Sequence, residues 1–541
     1  MVFLLLISAL VLLLAYAFYG YVTKNNKYFE GKPIPCLPIE PLFGSTRQLL
    51  TRKISSHDFM RQVYDQFSNV KIFGLFDLVT PVFLVRDPEL IKRIAVKDFD
   101  HFVNHRRIFG SNLDPDSVAL FAKTLFALTD QQWRDMRATL SPAFTGSKMR
   151  QMFELIGDCS AQMVEFYRER AVTASSKLPL VYDVKEVFSR FGTDVIATCA
   201  FGLKVDSFRD PNNSFYINGK KMVHFERFSV LLKVLFHRVF PWFMEKLQID
   251  LFDREQNRFF IETIRETLRA REAQGIVRPD MVHLLMQARK GTLKHHKQQE
   301  EPAIEGFATV QESDVGKAEL KDRRPMSEME LVAQCLIFFL AGFDTVSNCL
   351  TFLAYELALN PDVQERLHAE ILAAQASLQG KPLSYDVLQR MKYMDMVVSE
   401  LLRKWPPGPS TDRICTRDYV VNVDGMEFTI DNGTSIFIPI SGLHHDPQYY
   451  PEPEKFDPER FSEENKHRIN LDAYLPFGVG PRNCIGSRFA LMEVKAVIYH
   501  LLLVFSLERV EQTEVPVRLK KGFVALTTEN GVHLGFKLRD A

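Results

Sequence analysis

The run from Phe477 to Gly486 reads Phe-Gly-Val-Gly-Pro-Arg-Asn-Cys-Ile-Gly and holds one cysteine where the backbone is freest to bend. Gly478, Gly480, Gly486 and Pro481 let the chain turn tightly around the sulfur of Cys484. The next segment, Ser487–Phe505, is apolar and long enough for a helix, so Cys484 lies near a helix N-terminus and beside Arg482. Both neighbours favour the thiolate over the thiol. A thiolate held in such a loop is a metal ligand. The alternative is a buried structural cysteine, the commoner fate of a lone thiol.

Three further constellations carry chemistry or the means to position it. Ala341-Gly342-Phe343-Asp344-Thr345 sets an acid beside an alcohol. On a helix, Gly342 weakens the turn and Thr345 can bond back to the carbonyl four residues earlier, opening a groove. Asp344 and Thr345 can then relay protons, or they are a polar pair satisfied by neighbours within a buried helix. Trp133 and Arg137, four apart, share one face of a helix that Thr129-Asp130 can cap. Glu400 and Arg403 lie three apart on a helix that ends at Pro406-Pro407. That spacing alone says little, because Glu255/Arg258, Glu262/Arg265 and Glu266/Arg269 repeat it on a charged, solvated face. The context of Glu400 differs. Two hairpin candidates come after it, with Asp424-Gly425 and Asn432-Gly433 turns, and then Phe456-Asp457-Pro458-Glu459-Arg460-Phe461.

Long elements must place these groups. Ser327-Glu328-Met329-Glu330 is a capping box, and the strongly apolar pattern after it runs to Asn360-Pro361. About 33 residues at roughly 1.5 Å each give a helix near 50 Å long, enough to cross a whole domain. At the other end of the chain, Val2–Val22 is an apolar run of a length that spans a bilayer. Ala15-Tyr16-Ala17 is a signal-peptide cleavage candidate, but no basic residue precedes the run, and Lys24, Lys27 and Lys32 come after it. An uncleaved signal anchor with those lysines in the cytosol fits better. Gly31–Gly44 carries Pro33, Pro35, Pro38 and Pro41, and reads as a stiff extended spacer. Phe225–Phe243, rich in Phe, Leu, Val and Trp, is either a lid that dips into a bilayer or core packing. Lys290–Arg324 is polar and charged and reads as a surface loop, since helical character resumes after it.

Composition removes several classes of function. Lys+Arg and Asp+Glu both number 67 in 541 residues, so nothing in the charge calls for nucleic acid. The 44 phenylalanines suit a large apolar interior with room for an apolar ligand. Seven cysteines, odd in number and without a Cys-x-x-Cys pair, indicate a reducing compartment. There is no glycine loop for a dinucleotide, so any electrons come from another protein.

Anchor, proline hinge, Trp-x-x-x-Arg, Ala-Gly-x-Asp-Thr, Glu-x-x-Arg, Pro-Glu-Arg-Phe and the Cys loop succeed one another in the order found in microsomal cytochromes P450, which the chain resembles over essentially its whole length. Phe201–Phe215 and Lys404–Tyr419 are most similar to the insect detoxification members. The resemblance implies a mainly α fold with a minor β region, a single catalytic domain over 46–541, a hinge over 23–45 and an anchor over 1–22 in the endoplasmic reticulum membrane. It implies haem b with Cys484 as its axial ligand, Phe477 shielding the sulfur, and Trp133, Arg137, Arg413 and Arg482 at the propionates. Ala341 and Gly342 would line the haem, with Asp344 and Thr345 delivering protons where dioxygen and water fit. Glu400, Arg403 and Arg460 would form a structural triad, one carboxylate shared by two guanidiniums. NADPH–cytochrome P450 reductase and cytochrome b5 are the implied electron donors, and an apolar small molecule is the substrate. Phe102–Phe126, Phe338–Thr345 and Gly522–Thr527 are the implied pocket. An isomerase or dehydratase of the same fold generally lacks the Asp-Thr pair. That alternative and a membrane-bound haem or ligand carrier would both work without NADPH-dependent turnover.

Overall fold

The computed structural model describes residues 2–106, 120–174, 178–223, 228–247, 254–291, 306–310, 326–523 and 525–539. Parts of the implied pocket (107–119 and Val524), of the lid (225–227) and of the charged loop (292–305 and 311–324) lie outside them. The first helix, Val2–Thr23, matches the expected anchor to within one residue and buries only Val22. At about 1.5 Å per residue it is ~33 Å long, the thickness of a bilayer's hydrocarbon.

The proline-rich stretch is extended, as its composition predicts, but it is hydrogen-bonded rather than solvated. Leu37 N–H donates to the Gly74 carbonyl and Gly74 N–H to the Pro35 carbonyl, both at 2.9 Å. This zips the stretch onto strand β1 (Ile72–Asp77) and buries Ile34 and Leu37. β1 pairs antiparallel with β2 (Thr80–Val85). A second small sheet joins β3 (Leu180–Asp183) to the C-terminal strands β8 (Phe505–Arg509) and β9 (His533–Leu538) in the order β3-β9-β8. Between them in sequence come β4 (Thr411–Ile414), β5 (Tyr419–Val423), β6 (Met426–Ile430) and β7 (Ser435–Ile438).

The two turn candidates have different outcomes. Asp424 (φ 52°) and Gly425 (φ 76°) both take the left-handed conformation and close the β5–β6 hairpin, with Val423 opposite Met426. Asn432-Gly433 makes a turn but no hairpin. β7 leaves β6 to pair parallel with β2 and antiparallel with β4, so the turn passes the chain from one sheet to another. Long-range pairing outweighs the local signal here.

Helices make up most of the molecule. The long helix runs Glu328–Leu359, and its capping box forms as expected: Ser327 Oγ accepts Glu330 N–H at 3.1 Å and Glu330 Oε2 accepts Ser327 N–H at 2.8 Å. It is apolar enough to cross a membrane, yet most of it is buried, so it is the central core helix. It lies closely against the helix Val184–Ile196. A Cβ on Gly342 would sit 2.4 Å from Ile196 Cδ1, so a side chain there would have to displace the end of Ile196 at this close approach.

Two surface readings need revision. Within the charged loop, 306–310 is docked rather than solvated: Ala308 is buried and the Phe307 ring lies 5.0 Å from Phe461. Within the lid, helix Phe228–Val239 buries Val230 and His237, and Met244 after it is buried too, while Leu232, Phe236, Trp242 and Phe243 are exposed, so the described part packs on the core with one side and opens to the surface with the other. Phe240 stacks on Tyr21 at the end of the anchor, with ring centroids 5.6 Å apart.

Candidate active site

Cys484 stands at the end of a loop whose shape depends on two glycines with positive φ, Gly478 (77°) and Gly480 (72°). A Cβ on Gly480 would lie 1.9 Å from the Ala95 carbonyl oxygen, so a side chain there would push the loop off its support. Asn483 N–H donates to the Gly480 carbonyl and Cys484 N–H to the Phe477 carbonyl, both at 2.9 Å. Helix Ser487–Val504 begins three residues after the cysteine.

The Cys484 side chain is open, while Arg482, Asn483 and Ser487 around it are buried. The sulfur therefore faces an internal opening and not the outer surface. Protein packed around that opening desolvates the sulfur and pushes its thiol upward, and the Gly486 N–H and the Arg137 charge only partly oppose this. The expectation that the helix end and Arg482 favour the thiolate is thus corrected. Desolvation wins, and Arg482 is engaged elsewhere. Its Nε and Nη2 donate to the Val103 and Leu128 carbonyls at 2.8 Å, and its guanidinium lies 4.0 Å over the Trp133 ring. A thiol held up by burial ionises when a cation binds it.

Three guanidiniums converge on this loop. Arg137 donates from Nη1 to the Asn483 carbonyl at 2.8 Å and from Nη2 to Asn483 Oδ1 at 2.7 Å. Trp133, on the same helix, Asp130–Leu140, meets the loop through Arg482. Thr129 is the N-cap by position, but its side chain makes no capping bond. Asp130 N–H is taken instead by Asn104 Oδ1 at 2.8 Å. Arg413, fully buried on β4, donates from Nη2 to the Val479 carbonyl at 2.7 Å. Its Nε is buried without a hydrogen-bond partner among the described residues. Burial lowers the Arg413 pKa to about 10. Burial, then the charge of Arg413, lowers Arg482 to about 8, which Asp412 only partly offsets. Asp412 is already held by His105 Nδ1 at 3.2 Å and by the Arg106 N–H at 2.5 Å. Buried cations short of anions, one with an orphaned N–H, suit a guest that carries carboxylates. His105 and Asp412 escape sequence reasoning, since their adjacency arises only when β4 meets the 104–106 segment.

The long helix supplies the facing wall. Ala341 is exposed, and Phe338, Gly342 and Thr345 are partly open, whereas Leu336, Phe339, Phe343 and Val346 are buried. The four open residues lie three and four apart on one face, and Ile337, Leu340 and Asp344 beside them are partly open as well, so this stretch of a largely buried helix has a broad open side. Phe144 bridges this open side and the Cys loop: its ring centroid is 5.4 Å from that of Phe338, and its Cε1 lies 3.9 Å from where a Cβ on Gly486 would be. Thr345 Oγ1 donates to the Ala341 carbonyl, the back-bond its spacing predicts. Asp344 lies one step around the helix and forms an ion pair with Lys185 at 2.8 Å, and Lys185 also donates to Ser347 Oγ at 2.8 Å. The acid and the alcohol therefore have different partners in this conformation.

Behind the loop, Glu400 takes Arg403 in two bonds of 2.7 and 2.8 Å, and Arg460 Nε stands 3.5 Å away. Buried His444 accepts Leu475 N–H on Nε2 at 2.8 Å, just ahead of the Cys loop. Burial, with Arg403 acting in the same direction, lowers His444 to about 3. Its folded pKa lies below the unfolded value, so the stability it contributes is lost as pH falls below about 6.5. The penalty of His444→Gln, read from urea midpoints, is expected to be about 2 kcal/mol smaller at pH 5 than at pH 7. An equal penalty at both pH values would show that His444 is not held neutral.

An internal opening between a cysteine, a ring of arginines and the open side of the central helix fits a planar metal macrocycle with acidic edges, and so a haem-thiolate protein. The chain belongs to the cytochrome P450 family, whose sequence model matches residues 34–535. It is similar to cytochrome P450 9e2 of Blattella germanica, 41% identical over 96% of this chain and 95% of the relative. It is also similar to cytochrome P450 9c1 of Drosophila melanogaster (41% identical, over 92% of this chain and 90% of the relative) and to cytochrome P450 6k1 of Blattella germanica (36%, over 98% and 97%). The chain is accordingly an oxidoreductase of the monooxygenase class with a haem-thiolate cofactor. Its resemblance to insect members holds.

Proposed function

We propose that this chain is a microsomal monooxygenase that inserts one atom of dioxygen into apolar small molecules, either xenobiotics such as insecticides or endogenous lipophiles. The cofactor in this reading is haem b. Cys484 is its thiolate ligand, Phe477 covers the sulfur, and Trp133, Arg137, Arg413 and Arg482 serve its carboxylates. Ala341 and Gly342 present backbone to its other face. Haem, once bound, supplies an iron centre that activates dioxygen. Electrons come from NADPH through NADPH–cytochrome P450 reductase, with cytochrome b5 as a second donor. The anchor sits in the endoplasmic reticulum membrane, followed by the hinge to residue 45, and the catalytic domain faces the cytosol beside Lys24, Lys27 and Lys32.

The observation that carries this reading is the open stretch Phe338–Thr345 in the middle of a largely buried helix. It leaves the Ala341 carbonyl and the Thr345 hydroxyl facing the opening, where water can be held and a proton moved. Lys185 holds the Asp344 carboxylate, and through Asp344 the stretch has a charged neighbour at partial solvent access.

Thr345→Ala is the test. In a reconstituted reaction with reductase, NADPH and an apolar substrate, the variant is expected to keep haem content and NADPH consumption. Product per NADPH is expected to fall several-fold as proton delivery is lost, while peroxide rises. Unchanged coupling would make Thr345 a helix residue only. A wild type that forms no product with NADPH and reductase would remove the monooxygenase reading itself.

A further inference from the structure

We infer that Phe307 is a positioning residue for the Cys loop, a plug carried by the charged Lys290–Arg324 segment and seated behind the loop. Nothing about this segment's composition asks for a fixed place, yet Gly306-Phe307-Ala308 is fitted closely. Phe307 N–H donates to Asp395 Oδ2 at 2.8 Å, while Asp395 Oδ1 takes Lys495 Nζ at 2.8 Å. A Cβ on Gly306 would lie 2.0 Å from Asp395 Oδ1, so any other residue there would have to displace the carboxylate that holds the Phe307 N–H. Thr309 N–H closes a turn on the Gly306 carbonyl at 2.9 Å.

The ring reaches residues that lead directly to the ligand cysteine. Phe307 lies 5.0 Å from Phe461 and 5.4 Å from Tyr474, centroid to centroid. Tyr474 stacks on His444 at 5.5 Å and donates to the Ser399 carbonyl at 2.9 Å, which fixes it to the helix Lys392–Lys404. The next residue, Leu475, donates to His444 Nε2 at 2.8 Å and accepts Gly478 N–H at 3.0 Å. Two residues on, the Phe477 carbonyl accepts Cys484 N–H. Tyr474 is thus held by Phe461, His444 and Phe307, and one of the three comes from a segment otherwise unrelated to the site. Aromatic contacts of this kind orient as well as bury. Without Phe307, the approach to the Cys loop keeps its hydrogen bonds but loses one wall.

The test compares full-length wild type with Phe307→Ala, Gly306→Val and Phe307→Leu. Gly306→Val keeps the ring but blocks its seat, and Phe307→Leu is a milder change that still decides the matter if the alanine variant does not fold. The primary readout is amide hydrogen exchange, which needs no activity. Exchange over 474–486 is expected to quicken about 10-fold in Phe307→Ala and Gly306→Val and about threefold in Phe307→Leu, with the distant helix Val184–Ile196 unchanged. An increase of the same size in both regions, or none in 474–486, would overturn the inference. The second readout rests on Cys484 being the haem ligand: the long-wavelength band of the reduced carbon monoxide complex should decay faster in the variants. If wild type lacks that band, the ligand assignment fails, and the exchange result still decides the role of Phe307.

Discussion

Glu400→Gln is expected to cost the folded protein about 3–5 kcal/mol, the range for removing one partner of a buried ion pair. The substitution keeps the volume and removes the charge. Arg403 is fully buried, and both of its bonds to Glu400 are shorter than 3 Å. Burial works against the Arg403 charge and Glu400 outweighs it, so the guanidinium is held above its usual range. With glutamine in place, that balance reverses, and Arg460 loses its nearby carboxylate as well. Glu400 Oε1 also accepts Asp457 N–H at 2.9 Å, so the Pro458–Phe461 turn loses a charged anchor. Native stability is ~5–15 kcal/mol in total, so the loss is a large share of it. Urea unfolding measures it directly. Glu262→Gln is the control: Glu262 has the same Glu-x-x-Arg spacing but lies on an exposed face, where about 0–1 kcal/mol is expected. A Glu400→Gln penalty as small as that of the control would mean that the buried pair does not hold the scaffold.

How far this molecule can be read from its sequence depends on how local each cause is. The capping box at Ser327 and Glu330, the Asp424-Gly425 turn and the back-bond of Thr345 each link residues no more than four apart, and all three form as the spacing predicts. The proline stop, the hairpin turns and the Pro-Glu-Arg-Phe run after Glu400 and Arg403 separate them from three look-alike pairs, and only they are fully buried. Arg265 of one look-alike pair finds Glu328 instead, at 2.8 Å. Long-range causes are not legible in the same way. Lys185 meets Asp344 across 159 residues, and Phe307 finds its pocket from within a run whose composition argues for solvent. Gly342 reads as a helix weakness but serves a close helix approach over Ile196. The Cys484 thiol shows the limit most clearly. Its neighbours in sequence predict a lowered pKa, and burial, which no local spacing encodes, sets the opposite direction.

Cys484→Ser is expected to abolish thiolate ligation altogether. The serine hydroxyl keeps the size of the side chain and the loop that carries it, because the Cys484 N–H bond to Phe477 is backbone and the glycines are untouched. What it loses is a group that ionises when a cation binds, since an alcohol holds its proton far more tightly than a thiol. The arginines around the opening remain, so some haem can still enter through its carboxylates. A variant that retains haem but not the thiolate signature is therefore the expected product. Monooxygenase turnover should fall to the limit of detection, since an electron-donating thiolate is what promotes O–O cleavage in this family. The most direct measurement is the reduced carbon monoxide difference spectrum of wild type and Cys484→Ser, prepared side by side. The wild type is expected to absorb at the long-wavelength position of a thiolate-ligated haem and the serine variant only at shorter wavelength. A long-wavelength band that survives in Cys484→Ser would show that the ligand is another residue.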